Sequence, residues 1–292
     1  MFDFKECTRC GAYFLGERPL ESELERVYFV GYGPHQSMGT TGKAPPAHVL
    51  ARAVAPPLRV VGLALGLTPG IRLSRALDRV YAPETSGETL LDYGCGAPVF
   101  LDRARKLGWN TIGVDFTADV IESVRASGHA AYFAGDEFEA DVRDESVACV
   151  RMNHVVEHLP EPAPVLERIR SKMRRGGRLH IATPNPASVG SRLFGRHWWG
   201  LECPRHFLLY RGRVLRGLLE QTGFHVERIV HEAAAKDLAR SWGIRLSAHG
   251  RMAPDRIGAL AHDRVRLSLF APAASLTALV SAADRYHVFA RA

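Results

Sequence analysis

The hydrophobic pattern from Glu88 to Thr183 alternates short apolar runs with amphipathic stretches. Runs of four to six apolar residues, such as those in "TLLDYG" and "NTIGVDF", are separated by stretches of 8 to 14 residues with helical periodicity. Strands buried on both faces appear as continuous apolar runs, and helices connect parallel strands. The pattern therefore predicts an α/β fold, a parallel sheet with helices on both faces.

The flanking segments have different patterns. Residues 1–85 are punctuated by Gly and Pro around the loop "GYGPHQSMGTTGKAPP", with short helical patterns on either side, and are predicted to form a helical cap with a short Cys-containing head. Residues 86–232 form the predicted core. Helical patterns at about 233–249 and 254–283 predict a helical insertion or lid over 233–283, and the alternating "RYHVFARA" predicts a final strand within 284–292.

Composition and charge narrow the class of protein. The 292 residues are 46% hydrophobic and 24% charged, enough to bury a globular core. The net charge is +7, but its basic residues are scattered and form no block of the kind that binds nucleic acid, so no nucleic-acid partner is expected. Five dispersed cysteines argue against a disulfide framework.

The apolar segments and the N-terminus predict a cytoplasmic protein. The first residues, "MFDFKECTRCG", show no secretory leader pattern. The segments Val60–Leu67 and Leu269–Ala283 are too short, or too rich in small and polar residues, to cross a bilayer. We therefore expect no stable membrane insertion.

A glycine turn and three groups of acids stand at the ends of consecutive predicted strands. In "LLDYGCGAPVFL", the turn Gly94-Cys95-Gly96 lets the backbone approach a ligand closely, and Asp92 lies two residues before it. Asp115 ends the next strand, where a carboxylate can bind both hydroxyls of a ribose, and Asp136-Glu137 follow the third strand, where a carboxylate can accept from an exocyclic amine. The carboxyl ends of such strands form the crevice where open α/β sheets bind ligands.

Together these motifs resemble a known family. "LLDYGCG", "GVDF", "HVVEHLPEPAPVLERIRSKMRRGGRLHIATPN" and "WWGLECPRHFLLYRGRVLRGLLEQTGFHVERI" are similar to the class I S-adenosylmethionine-dependent methyltransferases, in the bacterial small-molecule branch that includes quinone-biosynthesis and sugar-modifying members. The similarity covers roughly residues 85–230. It implies a Rossmann-like, seven-stranded, mostly parallel sheet whose last strand is antiparallel.

The resemblance also implies roles in binding S-adenosyl-L-methionine. Gly94 and Gly96 would wrap its methionine part, and Asp92 would bind the amino end. Asp115 would bind the ribose and Asp136 the adenine amine. Asn153 and His154 would lie near the sulfonium. The predicted cofactor-binding residues are Asp92, Gly94, Cys95, Gly96, Asp115, Phe116, Asp136, Glu137 and Asn153.

Two positions depart from the family pattern. Pro98 stands in place of the usual third glycine, and because proline suits the first turn of a helix, we predict a helix that begins at or next to it. Ala148 stands where relatives often carry an acid. A nicotinamide dehydrogenase is disfavoured because the G-x-G-x-x-G spacing is not met.

Candidate bases cluster in "NHVVEH". Deprotonation is needed when the acceptor is a weakly acidic hydroxyl or carbon, and His154 or His158 could serve as the base. With Glu157 they also resemble a divalent-metal pattern of some quinone O-methyltransferases, and a third interpretation is that Glu157 and His158 only brace the following helix. We predict no metal ligand.

A second cluster, "HWWGLECPRHFLLY", predicts a substrate wall. Trp198, Trp199, Arg205 and Tyr210 are its candidate acceptor contacts, and His206 is another candidate base. Alternatively, the tryptophans only pack the loop on the sheet. Cys7 and Cys10 resemble half of a zinc ribbon, but with no second C-x-x-C they are not predicted to bind zinc.

These features predict an enzyme that methylates an oxygen or carbon of a small metabolite, either hydrophobic or sugar-like. One alternative is a non-catalytic scaffold that keeps the fold, favoured by Pro98 and Ala148. Another is a nucleic-acid methyltransferase, which lacks support because "NHVV" replaces the N/D-P-P-Y motif of base-amine enzymes. The sequence leaves a homodimer open.

Overall fold

The computed structural model describes residues 3–17 and 49–292. Its strands are β1 (Phe4–Glu6), β2 (Tyr13–Leu15), β3 (Thr89–Tyr93), β4 (Asn110–Asp115), β5 (Ala130–Phe133), β6 (Val147–Asn153), β7 (Met173–Pro184), β8 (Leu208–Leu209), β9 (His225–Glu232) and β10 (Arg285–Arg291). Its helices are α1 (Val49–Tyr81), α2 (Val99–Lys106), α3 (Ala118–Ala126), α4 (Asp136–Asp141), α5 (Pro162–Lys172), α6 (Val189–Phe194), α7 (Gly212–Gln221), α8 (Ala235–Ala248), α9 (Ile257–Leu260) and α10 (Arg264–Leu279).

The central sheet has seven strands in the order β5-β4-β3-β6-β7-β10-β9. The pairs from β5 to β7 are parallel, and β10 is antiparallel to both β7 and β9. This confirms the predicted Rossmann-like sheet with an antiparallel last strand. The order reverses beside β3, so that the loops after β3 and β6 meet at the crevice expected of such folds.

Both faces of the sheet are buried, as the continuous apolar runs predicted. Leu91 and Tyr93 of β3 point into a cluster that includes Met152 and Tyr286, while Leu90 points into a second cluster on the opposite face with Trp109. Alternate residues of one strand thus serve two cores. The strand ends, where the acids lie, are held between these two cores.

The N-terminal head is a small sheet, so the prediction of a purely helical cap over residues 1–85 was wrong. β1 and β2 form an antiparallel hairpin, and β2 pairs in turn with β8. Cys7 and Cys10 lie in the hairpin turn, where the Cys7 amide donates to the carbonyl of Ala12. These strands were missed because three residues give no measurable periodicity, and β8 lies almost 200 residues further along the chain.

The two helical patterns after the Gly- and Pro-rich loop are one helix, α1, with Pro56, Pro57 and Pro69 inside it. The loop itself and the pattern "ESELERVY" lie outside the described residues. Near its C-terminal end α1 packs on the sheet through Ala76 and Val80. By length and composition alone, the described residues include one helix able to cross a membrane, Val54–Tyr81.

The C-terminal helices follow the predicted pattern closely. α8 lies within the first predicted stretch, and the second contains α9 and α10, preceded by the short 3₁₀ turn Pro254–Arg256. α10 packs along α1, so the segments before and after the core meet in three dimensions. β7 begins at Met173 and includes Gly176 and Gly177.

Candidate active site

The glycine turn connects β3 to α2 through two residues with left-handed backbone. Gly94 has φ +72 and Gly96 φ +57, and the amides of Gly94 and Cys95 both donate to the carbonyl of Val114. A Cβ built on Gly94 would lie 2.4 Å from a methyl carbon of Val155. This turn therefore requires glycine at position 94 for both its backbone angle and its close packing.

α2 begins at Val99, directly after Pro98, which confirms the predicted helix start. Pro98 has φ −69, and its carbonyl accepts from the amide of Asp102, the first-turn hydrogen bond of the helix. Proline suits this position because the first turn of a helix leaves its amides without acceptors. Pro98 thus keeps the strand–turn–helix geometry of the site.

Asp115 lies at the carboxyl end of β4, against the glycine turn. Its carboxylate accepts from the amides of Gly96 (3.1 Å), Phe116 (2.9 Å) and Thr117 (3.1 Å). The ring of Phe116 beside it is 59% exposed. The structure thus brings together a fixed, buried carboxylate and an exposed aromatic ring at the rim of the crevice.

Asp136 and Glu137 open α4 after β5, but their surroundings differ. Asp136 is exposed. The carboxylate of Glu137 accepts from the amide of Phe133 at 3.0 Å and from the guanidinium of Arg125 at 3.1 Å. Glu137 therefore holds its own loop in place, whereas Asp136 presents its side chain to solvent.

Asp92 is already engaged by a partner that the sequence did not indicate. It is fully buried, and Nη1 of Arg151 donates to both of its carboxylate oxygens at 2.9 and 2.8 Å. Burial raises the pKa of Asp92 to about 6, although Arg151 opposes that rise. A buried carboxylate needs a compensating charge. Instead of awaiting a ligand ammonium, Asp92 is paired with Arg151, which also stacks on Phe100.

His154 and Glu157 form a hydrogen-bonded pair beyond Asn153, the last residue of β6. His154 has φ +56, and its Nδ1 lies 3.0 Å from Oε1 of Glu157. Glu157 is fully buried, and its other oxygen accepts from the hydroxyl of Thr183 at 2.9 Å. Burial alone would raise the pKa of Glu157, but the hydrogen bond from His154 and nearby His206 lower it to about 2. Glu157 is thus an ionised carboxylate that orients His154.

His158 and His206 lie beside this pair. Their rings meet edge to face with centroids 4.7 Å apart, and each Nδ1 donates to a backbone carbonyl, of Arg205 for His158 and of Gly200 for His206. Burial, together with His206, lowers the pKa of His158 to about 4. One potential ligand atom each from Glu157, His158 and His206 lies within 4.8 Å of the others, an arrangement that could hold a metal ion. The ring of His158 is thus packed against that of His206, and its Nδ1 is engaged by the backbone.

A cleft of about 300 Å³, including space open to solvent, lies over these residues. It is lined by His154, Pro184, Trp198, Trp199, Gly200, Glu202, His206, Asp237, Asp284 and Arg285. The predicted substrate residues Trp198 and Trp199 and the predicted bases His154 and His206 are thus brought together. The indole of Trp198 is buried, and the guanidinium of Arg240 stacks on Trp199 at 4.6 Å.

Two predicted substrate residues lie elsewhere. Tyr210 is buried in the core against the sheet, where its carbonyl accepts from the hydroxyl of Tyr286 at 2.8 Å. Arg205 forms an ion pair with Glu202 at 2.8 Å and does not line the cleft. Tyr210 directly follows the apolar strand β8, and its ring packs in the hydrophobic core rather than lining the cleft.

The cleft also contains charged groups that sequence reasoning missed. Arg285 donates to both oxygens of Asp237 at 2.8 Å. Burial raises the pKa of Asp284 to about 6, opposed in part by Ser188 and Trp198. The only available signal was the pair of charges, Asp284-Arg285, that precedes an apolar final strand.

Comparison with known proteins agrees with this geometry. A family model described as "Methyltransferase domain" matches residues 71–229. An uncharacterized 37.1 kDa protein in transposon TN4556 of Streptomyces fradiae is 29% identical over 49% of this chain and 45% of its own length. A ubiquinone biosynthesis O-methyltransferase from Hydrogenovibrio crunogenus is 26% identical over 34% of this chain and 43% of its own. The chain spans less than half the length of these relatives.

Solved structures share the fold. A SAM-dependent methyltransferase from Archaeoglobus fulgidus aligns over 78% of this chain and 94% of its own with TM-score 0.50 and 23% identity. Phosphoethanolamine N-methyltransferase 2 from Haemonchus contortus, in complex with S-adenosyl-L-methionine, aligns over 94% of this chain and 60% of its own with TM-score 0.52 and 14% identity. With the family match over more than half of the chain, these findings show that the protein belongs to the S-adenosylmethionine-dependent methyltransferases.

Proposed function

We propose that this methyltransferase methylates an oxygen or carbon of a small metabolite, with His154 as general base. The observation that carries the proposal is the His154–Glu157 pair, because it holds an oriented imidazole in the cleft, and the next residue, Val155, packs on Gly94 of the glycine turn. The cofactor supplies an electrophilic methyl group on a cationic sulfonium. The remaining steps, alignment and proton removal, belong to the chain's own residues.

The residues around the glycine turn fit the nucleoside end of the cofactor. Asp115 is held by three backbone amides, so its carboxylate has a fixed direction and keeps one lone pair, on Oδ2, for a ribose hydroxyl. Phe116 exposes an aromatic ring where an adenine could stack, and Asp136 stands exposed on the next strand's loop.

The hydrogen bond between His154 and Glu157 supports proton transfer in one direction, from the acceptor to His154. When Nδ1 of His154 donates to Glu157, the lone pair of Nε2 is left to accept a proton from the acceptor. Glu157 stabilises the imidazolium that forms, because it is ionised and buried with its second oxygen bound to Thr183. This arrangement favours acceptors that must lose a proton, such as hydroxyls or acidic carbons.

The cleft supports a small acceptor with apolar and polar parts. Trp198 and Trp199 supply aromatic walls, and His206 and Asp284 supply polar groups. The O-methyltransferases of ubiquinone biosynthesis among the relatives support oxygen as the target atom. A metal ion held by Glu157, His158 and His206 is a second means of lowering the acceptor's pKa, and it would compete with His154 for the same carboxylate.

The test is His154→Ala, compared with His225→Ala, an exposed histidine on β9 outside the cleft. Labelled methyl transfer is measured from S-adenosylmethionine to a panel of phenols, catechols, hydroxyquinones and hydroxy sugars. Since a general base contributes about 10²- to 10⁴-fold, His154→Ala should lower kcat by that factor. His225→Ala should match the wild type.

Binding of S-adenosylhomocysteine separates the proposed role from a folding defect. His154→Ala should retain the wild-type affinity, because the proposed nucleoside contacts come from other side chains, those of Asp115, Phe116 and Asp136. Full activity of His154→Ala would refute the base role. Transfer by the wild type to amines alone would refute an oxygen or carbon target.

A further inference from the structure

The outward side of α1 and α10 carries an exposed apolar surface. We name as the α1–α10 face the exposed side chains Val60, Val61, Leu63 and Leu67 of α1 and Leu276, Leu279 and Val280 at the end of α10. Leu63 is 64% exposed, Leu67 62% and Val280 63%. Val60, Leu63 and Leu67 are three and four residues apart and so share one side of α1, and exposed apolar surface of this kind marks a contact with a partner or a membrane.

Small residues hold the two helices together. A Cβ built on Gly62 would lie 2.6 Å from the Cβ of Ala271, and one built on Gly66 would lie 2.9 Å from Oγ of Ser275. The hydroxyl of Ser275 donates to the carbonyl of Gly62 at 2.8 Å. Helices in lipid pack closely through glycines four residues apart, and hydroxyl groups bond across the contact.

The distribution of side-chain size is the reverse of that in a water-soluble helix pair. Small side chains face the partner helix and large apolar ones face outward. Only 17% of the apolar 18-residue stretch within Val54–Tyr81 is buried. A soluble amphipathic helix turns its large apolar residues inward. The outward Leu and Val side chains are therefore left to contact a hydrophobic medium.

We propose that the α1–α10 face docks into one leaflet of a lipid bilayer. Residues 60–71 carry no charged side chain and extend about 18 Å, well short of the roughly 30 Å hydrocarbon core. Exposed Arg59 and Arg72 bound this segment, and Arg75 lies one turn further. Arginines at both ends suit anionic headgroups, and the length fits a helix that lies in the membrane surface rather than across it.

The face ends beside the cleft. The amide of Val189 in α6 donates to the carbonyl of Ala282, just past α10, and Leu193 of α6 is 61% exposed. Asp284, two residues further along, lines the cleft. An acceptor with a hydrocarbon tail would thus reach the cleft from the membrane; this entry route rests on the proposed function, whereas membrane docking does not.

Sequence reasoning expected no stable membrane insertion because it considered each apolar segment separately and only for spanning. The structure pairs one segment with the other and turns their large side chains outward. Docking in one leaflet requires neither segment to span the bilayer.

The test is flotation of the full chain with vesicles of phosphatidylcholine alone and of phosphatidylcholine mixed with phosphatidylglycerol. The wild type should float with both, and more completely with the anionic vesicles. Leu63→Glu combined with Leu67→Glu should lower the vesicle-bound to free ratio at least about tenfold, because charged side chains are expelled from hydrocarbon. Leu107→Glu is the matched control, since Leu107 is 58% exposed and lies at the end of α2; it should float as the wild type does.

Three results would overturn the proposal. The wild type could fail to float with either vesicle, or the double variant could float as well as the wild type. The wild type could instead form a dimer in sedimentation that the double variant abolishes, without flotation, which would assign the face to a second copy of the chain. Circular dichroism and S-adenosylhomocysteine binding verify that the variants are folded, and neither readout depends on methyl transfer.

Discussion

At the scale of single residues, the charge partners of each buried acid decide what that acid can do. Glu157 stays ionised because His154 and Thr183 bind its two oxygens. Asp92 is neutralised by Arg151, and Asp284 has its pKa raised to about 6 by burial. The three acids thus serve different purposes: Glu157 orients a base, Asp92 joins β3 to Arg151 of β6, and Asp284 presents a polar group to the cleft.

The glycine turn gives a residue-scale prediction. Gly94→Ala should destabilise the protein by roughly 3 kcal/mol, since alanine would adopt φ +72 and press on Val155. Gly176→Ala is the matched control: φ there is +73, but no atom lies within 4 Å of the added Cβ, so only about 1 kcal/mol is expected. Urea unfolding measures both, and equal losses would show that the contact with Val155 has no effect.

The sequence predicts the position of a residue that lies at the end of a strand or directly after it. Asp115 and His154 each end or follow an apolar strand, so their positions at the crevice follow from the α/β pattern. Arg151 and Asp237 could not be predicted in the same way. Their partners, Asp92 and Arg285, lie 59 and 48 residues away, and the pairing depends on strand register and helix packing.

At the scale of secondary-structure elements, long patterns were predicted well and short ones were not. The strands and helices of the core repeat their pattern over enough residues to be recognised. The hairpin of β1 and β2 is held by its pairing with β8, a tertiary contact without a local signal. α1 joins two helical patterns that are separate in the sequence and continues through Pro69; α10 packs along α1 and favours one continuous helix.

Pro98 gives a prediction at this scale. Pro98→Gly should change the affinity for S-adenosylhomocysteine less than about threefold, because the turn and α2 keep their geometry and the proline provides no amide to the ligand. Stability should fall by about 1 kcal/mol, since glycine is more flexible in the unfolded chain. Calorimetric titration and thermal unfolding test the two effects. A tenfold change in affinity would show that residue 98 takes part in cofactor binding.

At the scale of the whole molecule, the two halves of the proposed site come from different parts of the sheet. The cofactor end lies at β3 and β4, with Asp115 and Phe116. The cleft lies beyond β6 and β7 and is closed by the loop of Trp198 and by α8. The chain leads from the end of α10 to that cleft through Ala282 and Asp284. The α/β pattern predicted the first half, while the cleft depends on contacts between segments far apart in the chain.

The most direct measurement is calorimetric titration of S-adenosylhomocysteine into the wild type, Asp115→Asn and Glu122→Gln. Glu122 is an exposed acid on α3, close to Asp115 in sequence, and serves as the matched control. The wild type and Glu122→Gln should bind one equivalent with the same Kd. Asp115→Asn should bind at least about tenfold more weakly, because the ribose hydroxyls lose a charged acceptor. Absence of binding by the wild type, or equal affinity of all three proteins, would contradict the assignment of this crevice as the cofactor site.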